Sequence, residues 1–263
     1  MNMIIASIIV LAVIGLLIGI LLVTAGEKFK VYVDPRETQV REYLPGANCG
    51  ACGFAGCDAL AAAIVKGEAP AGACTSCGAE AVEAIARIMG VSAETGPKNV
   101  AYVKCSGSCG IVHVKSNYVG TKTCEHAALN PGKSGNACQY GCFGFGSCTK
   151  VCPFEAIKVV NGLARVDRTK CVACGKCVET CPQKLIEIIP DKAVYGVQCA
   201  NKKRGAEVKK ECELGCIGCS ACTKVCPEKA IEMINNTAHI NQDKCVGCGK
   251  CAEKCPRNII VKR

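Results

Sequence analysis

Tryptophan is absent from the 263 residues, and aromatic residues of every kind make up only 4% of them. Without large rings to fill an interior, each core must be small and needs staples beyond packing. No Lys or Arg precedes the apolar run at residues 3–24. A cleaved signal peptide ordinarily has such charges and a shorter apolar core, so an uncleaved anchor is the better reading. No aromatic-rich basic motif of the kind that reads nucleic acid occurs, and no GxGxxG loop follows a strand, which leaves out a dinucleotide site of that type.

Cysteine is what the chain has in excess, with 26 residues against 28 glycines. Thiols at this density form either a disulfide scaffold or metal thiolates, and the compartment decides between them. The run at residues 3–24 is long enough for one helix to cross a bilayer core of about 30 Å. Basic residues first appear just after it, at Lys28 and Lys30. Positive-inside bias then puts the remainder in the cytoplasm, where metal thiolates are favoured over disulfides. Gly15 and Gly19 form a GxxxG face, so the helix is expected to pack on a partner subunit.

Beyond the anchor the cysteines fall into three blocks. The first holds Cys49, Cys52, Cys57, Cys74 and Cys77, and its segments GCDALAAAIVKGE and AEAVEAIARIMG carry apolar residues at helical spacing bounded by glycine. The second and third repeat each other. GCFGFGSCTKVCP aligns without gaps to GCIGCSACTKVCP, and CVACGKCVETCP to CVGCGKCAEKCP, all at an offset of 74 residues. A constant offset across two motifs and the connection between them marks a duplicated unit. The segments FEAIKVVNGLARVD and EKAIEMINNTAHIN predict a hairpin in each.

The expected class is α+β: one transmembrane helix, a small helical four-iron domain, and two tandem bacterial 2[4Fe–4S] ferredoxin-like modules. The expected boundaries are 1–26 for the anchor, 27–95 for the helical domain, 96–190 for the first module with its cysteine-rich lead-in, and 191–263 for the second.

The third block matches the two-cluster ferredoxin run, in which three close thiolates hold one cluster and the fourth ligates its neighbour. Cys216, Cys219, Cys222 and Cys255 form one predicted set, and Cys245, Cys248, Cys251 and Cys226 the other. Zinc accepts CxxC pairs but does not ask for eight cysteines in this double pattern. In the second block Cys171, Cys174, Cys177 and Cys152 form an intact set. Phe145, however, stands where the third block has Cys219, leaving Cys142, Cys148 and Cys181 one short. Cys138 is the nearest candidate for the fourth ligand, with a three-iron cluster or a more distant ligand as alternatives. Cys212 occupies the equivalent place in the third block without being needed there.

In the first block, glycines interleave Cys49, Cys52 and Cys57, allowing a tight loop with backbone N–H groups free to bond sulfur, and the next helix delivers Cys74. These four make a fifth predicted [4Fe–4S] set. Cys77, Cys105, Cys109, Cys124, Cys199 and Cys212 are left over. Cys105, Cys109 and Cys124 are open between part of a further metal site, which would add a sixth cluster, and buried thiols acting as small hydrophobes. The formal net charge is +10. Five clusters at roughly −2 each offset it, which removes the main argument for nucleic acid as a partner. The run KKRGAEVKK at residues 202–210 reads as a solvated basic loop or a dock for an acidic redox protein.

An anchor, then NCGACGFAGCDALAAAIVKGEAPAGAC, then paired GCFGFGSC and GCIGCSAC units in that order resembles the B subunit of the Rnf complexes, the ion-translocating ferredoxin:NAD oxidoreductases, in its long form. The resemblance implies a chain in the cytoplasmic membrane that takes electrons from reduced ferredoxin and relays them to integral subunits, where their flow drives Na+ or H+ across the membrane. Flavin and NAD sites would lie on those partner subunits, and no residue of this chain would be catalytic. A membrane-anchored polyferredoxin serving a hydrogenase or other reductase, and a zinc-rich structural protein, are the competing readings. The anchor has no ionisable residue, so nothing in it selects the ion.

Overall fold

The computed structural model describes residues 2–28, 34–93 and 98–263, with side chains in the first helix from residue 11. Lys30 and the expected boundary at residues 95 and 96 lie outside the described residues. Helix α1 (Asn2–Lys28) contains the chain's single candidate membrane span among the described residues, Leu11–Lys28. Leu11, Leu16 and Leu21 are all about two-thirds exposed. A helix apolar on every side with nothing covering it suits lipid surroundings rather than water. Gly15 and Gly19 have no neighbour within 4 Å, so the GxxxG face is open.

Three helices follow: α2 (Pro35–Tyr43), α3 (Cys57–Val65) and α4 (Ala79–Met89). Asp34 caps α2 by accepting from the Arg36 N–H at 2.9 Å, and Pro35 supplies a first position that needs no donor. Gly90, in the left-handed conformation, ends α4. Val40, Leu60, Ile64 and Ile85 are buried among alanines and the Cys57 and Cys74 thiols. Each such side chain contributes about 1.5–3 kcal/mol by leaving water. An Arg41–Asp58 ion pair at 2.6 Å ties α2 to α3 at the surface.

The remainder is built from short elements in two similar units. The first has β1 (Asn99–Val103), α5 (Cys124–Leu129), α6 (Ser147–Lys150), β2 (Ile157–Val160), β3 (Leu163–Val166), α7 (Lys176–Thr180) and β4 (Ile186–Pro190). The second has β5 (Tyr195–Val197), α8 (Gly205–Glu211), α9 (Ala221–Val225), β6 (Ile231–Ile234), β7 (Thr237–Ile240), α10 (Lys250–Glu253) and β8 (Ile260–Lys262). Both expected hairpins form, β2 with β3 and β6 with β7, at the same offset of 74 residues. Asn161 and Gly162 turn the first and Asn235 and Asn236 the second, all at positive φ, as a two-residue hairpin with right-handed strand twist requires.

In each unit the opening strand pairs antiparallel with the closing one. Asn99 faces Pro190 and Val103 faces Ile186 across β1 and β4, while Tyr195 faces Lys262 and Val197 faces Ile260 across β5 and β8. Helices α6 and α7 pack on each other and on β2 and β4, as α9 and α10 do on each other and on β6 and β8, and the buried apolar residues of each unit, such as Leu163 and Leu185 in the first and Ile231 and Ile259 in the second, surround cysteines. The units also approach closely. A Cβ on Gly196 would collide with the Tyr102 ring, and Arg263 stacks 5.1 Å above the centre of that ring.

Candidate metal centres

The loop before α3 is drawn round by Asn48, whose side-chain oxygen accepts the Cys57 N–H at 2.8 Å, and Gly50 and Gly53 take positive φ. This gathers Cys49, Cys52 and Cys57 near Cys74. Cys77 joins them, because its thiol hydrogen-bonds the Cys74 sulfur. The approach of the two sulfurs is the largest influence holding Cys74 down at about 6, and it holds Cys77 up. The Tyr43 carbonyl, 3.8 Å from the Cys77 sulfur, is the alternative acceptor for its one S–H.

In the second unit the two expected sets are each drawn together. Cys216, Cys219, Cys222 and Cys255 line one pocket. Cys226, Cys245, Cys248 and Cys251 line another. Burial, then the neighbouring Cys216, Cys219 and Cys255, pushes the Cys222 thiol up to about 11. In the first unit Cys152, Cys171, Cys174 and Cys177 are mutual neighbours, and burial followed by the other three thiols pushes Cys177 up to about 11. Gathered thiols that resist ionisation by themselves are offset by the positive charge of bound metal. Backbone N–H groups already point at these sulfurs: Ala156 to Cys152 and its counterpart Ala230 to Cys226, each at 3.3 Å, and Ala101 to Cys171 at 3.3 Å. Such bonds fix and tune metal-bound thiolates.

The remaining set differs from expectation. Cys142, Cys148 and Cys181 line one pocket, and the fourth thiol there is Cys124 at the start of α5, not Cys138. Burial, then Cys142, Cys124 and Cys181, raises Cys148 to about 12. Cys138 lines the adjacent cavity instead, against Cys105, Cys199 and Cys212. Spacing misleads here because a cysteine four residues upstream turns away from the motif, whereas the lead-in folds back. Phe145, in the place of Cys219, packs on Tyr118 of that lead-in at 5.0 Å between ring centres. Ser147 completes the attachment by accepting the Cys124 N–H at 3.0 Å and donating to Glu125 at 2.6 Å. The signal in the sequence is that only the first unit has both a missing motif cysteine and a longer, cysteine-bearing lead-in.

Charge on one set is felt at the next. Burial raises the Cys174 thiol, and Cys49 of the first block is among the thiols that raise it further. Cys177 likewise acts on Cys148 across the first unit. Among the described residues no three His, Cys, Asp or Glu side chains are placed to hold a single metal ion. Gathered thiols that do not converge on one point fit a four-iron cube better than one zinc ion, whose sulfur ligands sit about 2.3 Å from the metal.

Family models agree with this chemistry. The FeS model for an Fe-S cluster matches residues 44–76, a 4Fe-4S dicluster domain matches 215–259, and the LdpA Fe-S cluster-binding domain matches 146–192. The B subunit of the Na(+)-translocating ferredoxin:NAD(+) oxidoreductase complex of Acetobacterium woodii is 45% identical over 93% of this chain and 73% of its own length. The proton-translocating counterpart of Clostridium ljungdahlii is 40% identical over 92% of this chain and 86% of its own. The B subunit of the ion-translocating oxidoreductase complex of Methanosarcina acetivorans is 39% identical over 81% of each. With identity of this extent running through every cysteine block, the chain belongs to the B-subunit family of the ion-translocating ferredoxin:NAD(+) oxidoreductase (Rnf) complexes.

Proposed function

We propose that the chain is the membrane-anchored electron relay of such a complex, taking electrons directly from reduced ferredoxin and passing them to integral subunits. Its domains are residues 1–26, 27–95, 96–190 and 191–263, the last two being ferredoxin-like modules facing the cytoplasm. Five [4Fe–4S] clusters are held by Cys49, Cys52, Cys57 and Cys74; by Cys152, Cys171, Cys174 and Cys177; by Cys124, Cys142, Cys148 and Cys181; by Cys216, Cys219, Cys222 and Cys255; and by Cys226, Cys245, Cys248 and Cys251. A [4Fe–4S] cluster, when bound, supplies storage for one electron at a potential set by its surroundings. The protein's own part is to bury the thiols, keep water out and aim N–H groups at sulfur.

The observation that carries this reading is the succession of thiol sets along the chain, the Cys49 set following the anchor and the sets of the two modules following it. Electrons entering at the C-terminal module then leave through the Cys49 set, the one nearest the anchor in the sequence. Reduced ferredoxin, mixed anaerobically with the purified full chain, should bleach the visible absorbance of wild type and of Cys49→Ser alike. Membranes carrying Cys49→Ser should lose ferredoxin-dependent NAD+ reduction. Failure of ferredoxin to bleach the wild type counts against the donor, and undiminished NAD+ reduction in the variant counts against the exit.

A further inference from the structure

Apart from Cys109 in the first, each unit has two cysteines that none of the five sets uses, and they occupy matching places. One comes two residues after the opening strand, Cys105 after β1 and Cys199 after β5. The other precedes the first motif cysteine by four, Cys138 before Cys142 and Cys212 before Cys216. All four line one pocket between the units, as the four thiols of each of three other sets line theirs.

The surroundings are matched as well. The N–H two residues on donates to each post-strand sulfur, Gly107 to Cys105 at 3.3 Å and Asn201 to Cys199 at 3.5 Å. The first motif cysteine donates a second, Cys142 to Cys105 at 3.5 Å and Cys216 to Cys199 at 3.3 Å. Asn201, only 2% exposed, directs its amide to the Cys138 sulfur at 3.5 Å and to Glu211 at 2.9 Å. A thiol that merely fills space as a small hydrophobe has no use for such donors, and neutral sulfur accepts weakly. Two backbone amides on each of Cys105 and Cys199 are the setting of a metal-bound thiolate.

We propose that Cys105, Cys138, Cys199 and Cys212 hold a sixth [4Fe–4S] cluster in the seam between the units, each unit contributing two thiolates. The four thiols release their protons on coordination, and the protein is neither oxidised nor reduced. The site touches Cys142 of one module and Cys216 of the other, so it fills the interval between their clusters and staples the modules together. It also gives Cys212 a use that its own motif does not. The inference rests on the other five sets being iron–sulfur sites.

The test is cluster counting on the full chain purified anaerobically in detergent, by native mass spectrometry with iron, sulfide and zinc analysis. Wild type should hold six clusters, about 24 iron atoms. Cys105→Ser/Cys138→Ser and Cys199→Ser/Cys212→Ser should each hold five, about 20 iron atoms, while Cys109→Ser keeps six. A wild type with five clusters, or with five clusters and one zinc, overturns the proposal and leaves the five-cluster reading standing. A wild type without iron overturns both. The wild-type count decides the matter even if a double variant does not fold.

Discussion

Cys105 and Cys138 stand 33 positions apart in the first unit, where Cys199 and Cys212 stand 13 apart in the second. The two units otherwise follow each other at a constant offset through hairpins, helices and cluster motifs. The second completes its leading thiol set from its own motif, with Cys219. The first has Phe145 there and draws Cys124 from the extra length, held by Tyr118 against Phe145 and by Ser147. Lengthening a surface loop costs little, because closure entropy grows slowly with length. A loop can therefore take over a ligand that a motif has lost, while the frame around it stays the same.

That comparison breaks most sharply at the thiols. Cys124→Ser should remove or reduce to three irons the cluster of the Cys142 set, as Cys219→Ser should do in the second unit, and Cys138→Ser should leave that cluster intact. Low-temperature EPR with iron analysis separates these outcomes. Adding Phe145→Cys to Cys124→Ser should restore the cluster by giving the first unit the second unit's motif. In the shared frame, Leu163 is fully buried at the start of β3, and Leu163→Ala should cost about 2–5 kcal/mol in anaerobic denaturation of the cluster-loaded chain. Ser147→Ala removes the acceptor for the Cys124 N–H, and a loss of about 1–3 kcal/mol is expected, with faster release of one cluster under chelator. Tyr118→Ala should have the smallest effect, about 0.5–1.5 kcal/mol in the same assay, with no counterpart in the second unit.

Much of this is legible in the residues because its signals are local. Asn161-Gly162 and Asn235-Asn236 mark the hairpins, and the alanine-rich segments mark α3 and α4, each within a single short window. Thiol sets in intact motifs are legible for the same reason, since a few residues fix which sulfurs face a common centre. The pairing of β1 with β4 and of β5 with β8 is not, because these strands are three to five residues long and lie at opposite ends of their units. Spacing misplaces Cys124 and Cys138 because distance along the chain stands in for distance in space, and the lead-in folds back on itself. Cys105 and Cys199 carry a faint signal, a cysteine two residues beyond a valine that ends a strand, which gains meaning only once the strands are known.

The pairing of first strand with last has a consequence for how the protein is made. Cys142 and Cys148 leave the ribosome well before Cys181, and Cys216 to Cys222 well before Cys255. A nascent chain halted in either interval presents unfinished thiol sets and an opening strand without its partner. Iron delivery to the sets within a unit must therefore wait for the whole unit, and a translation pause inside one leaves more reactive sulfur exposed than a pause between them, where Cys105 and Cys138 alone still await partners.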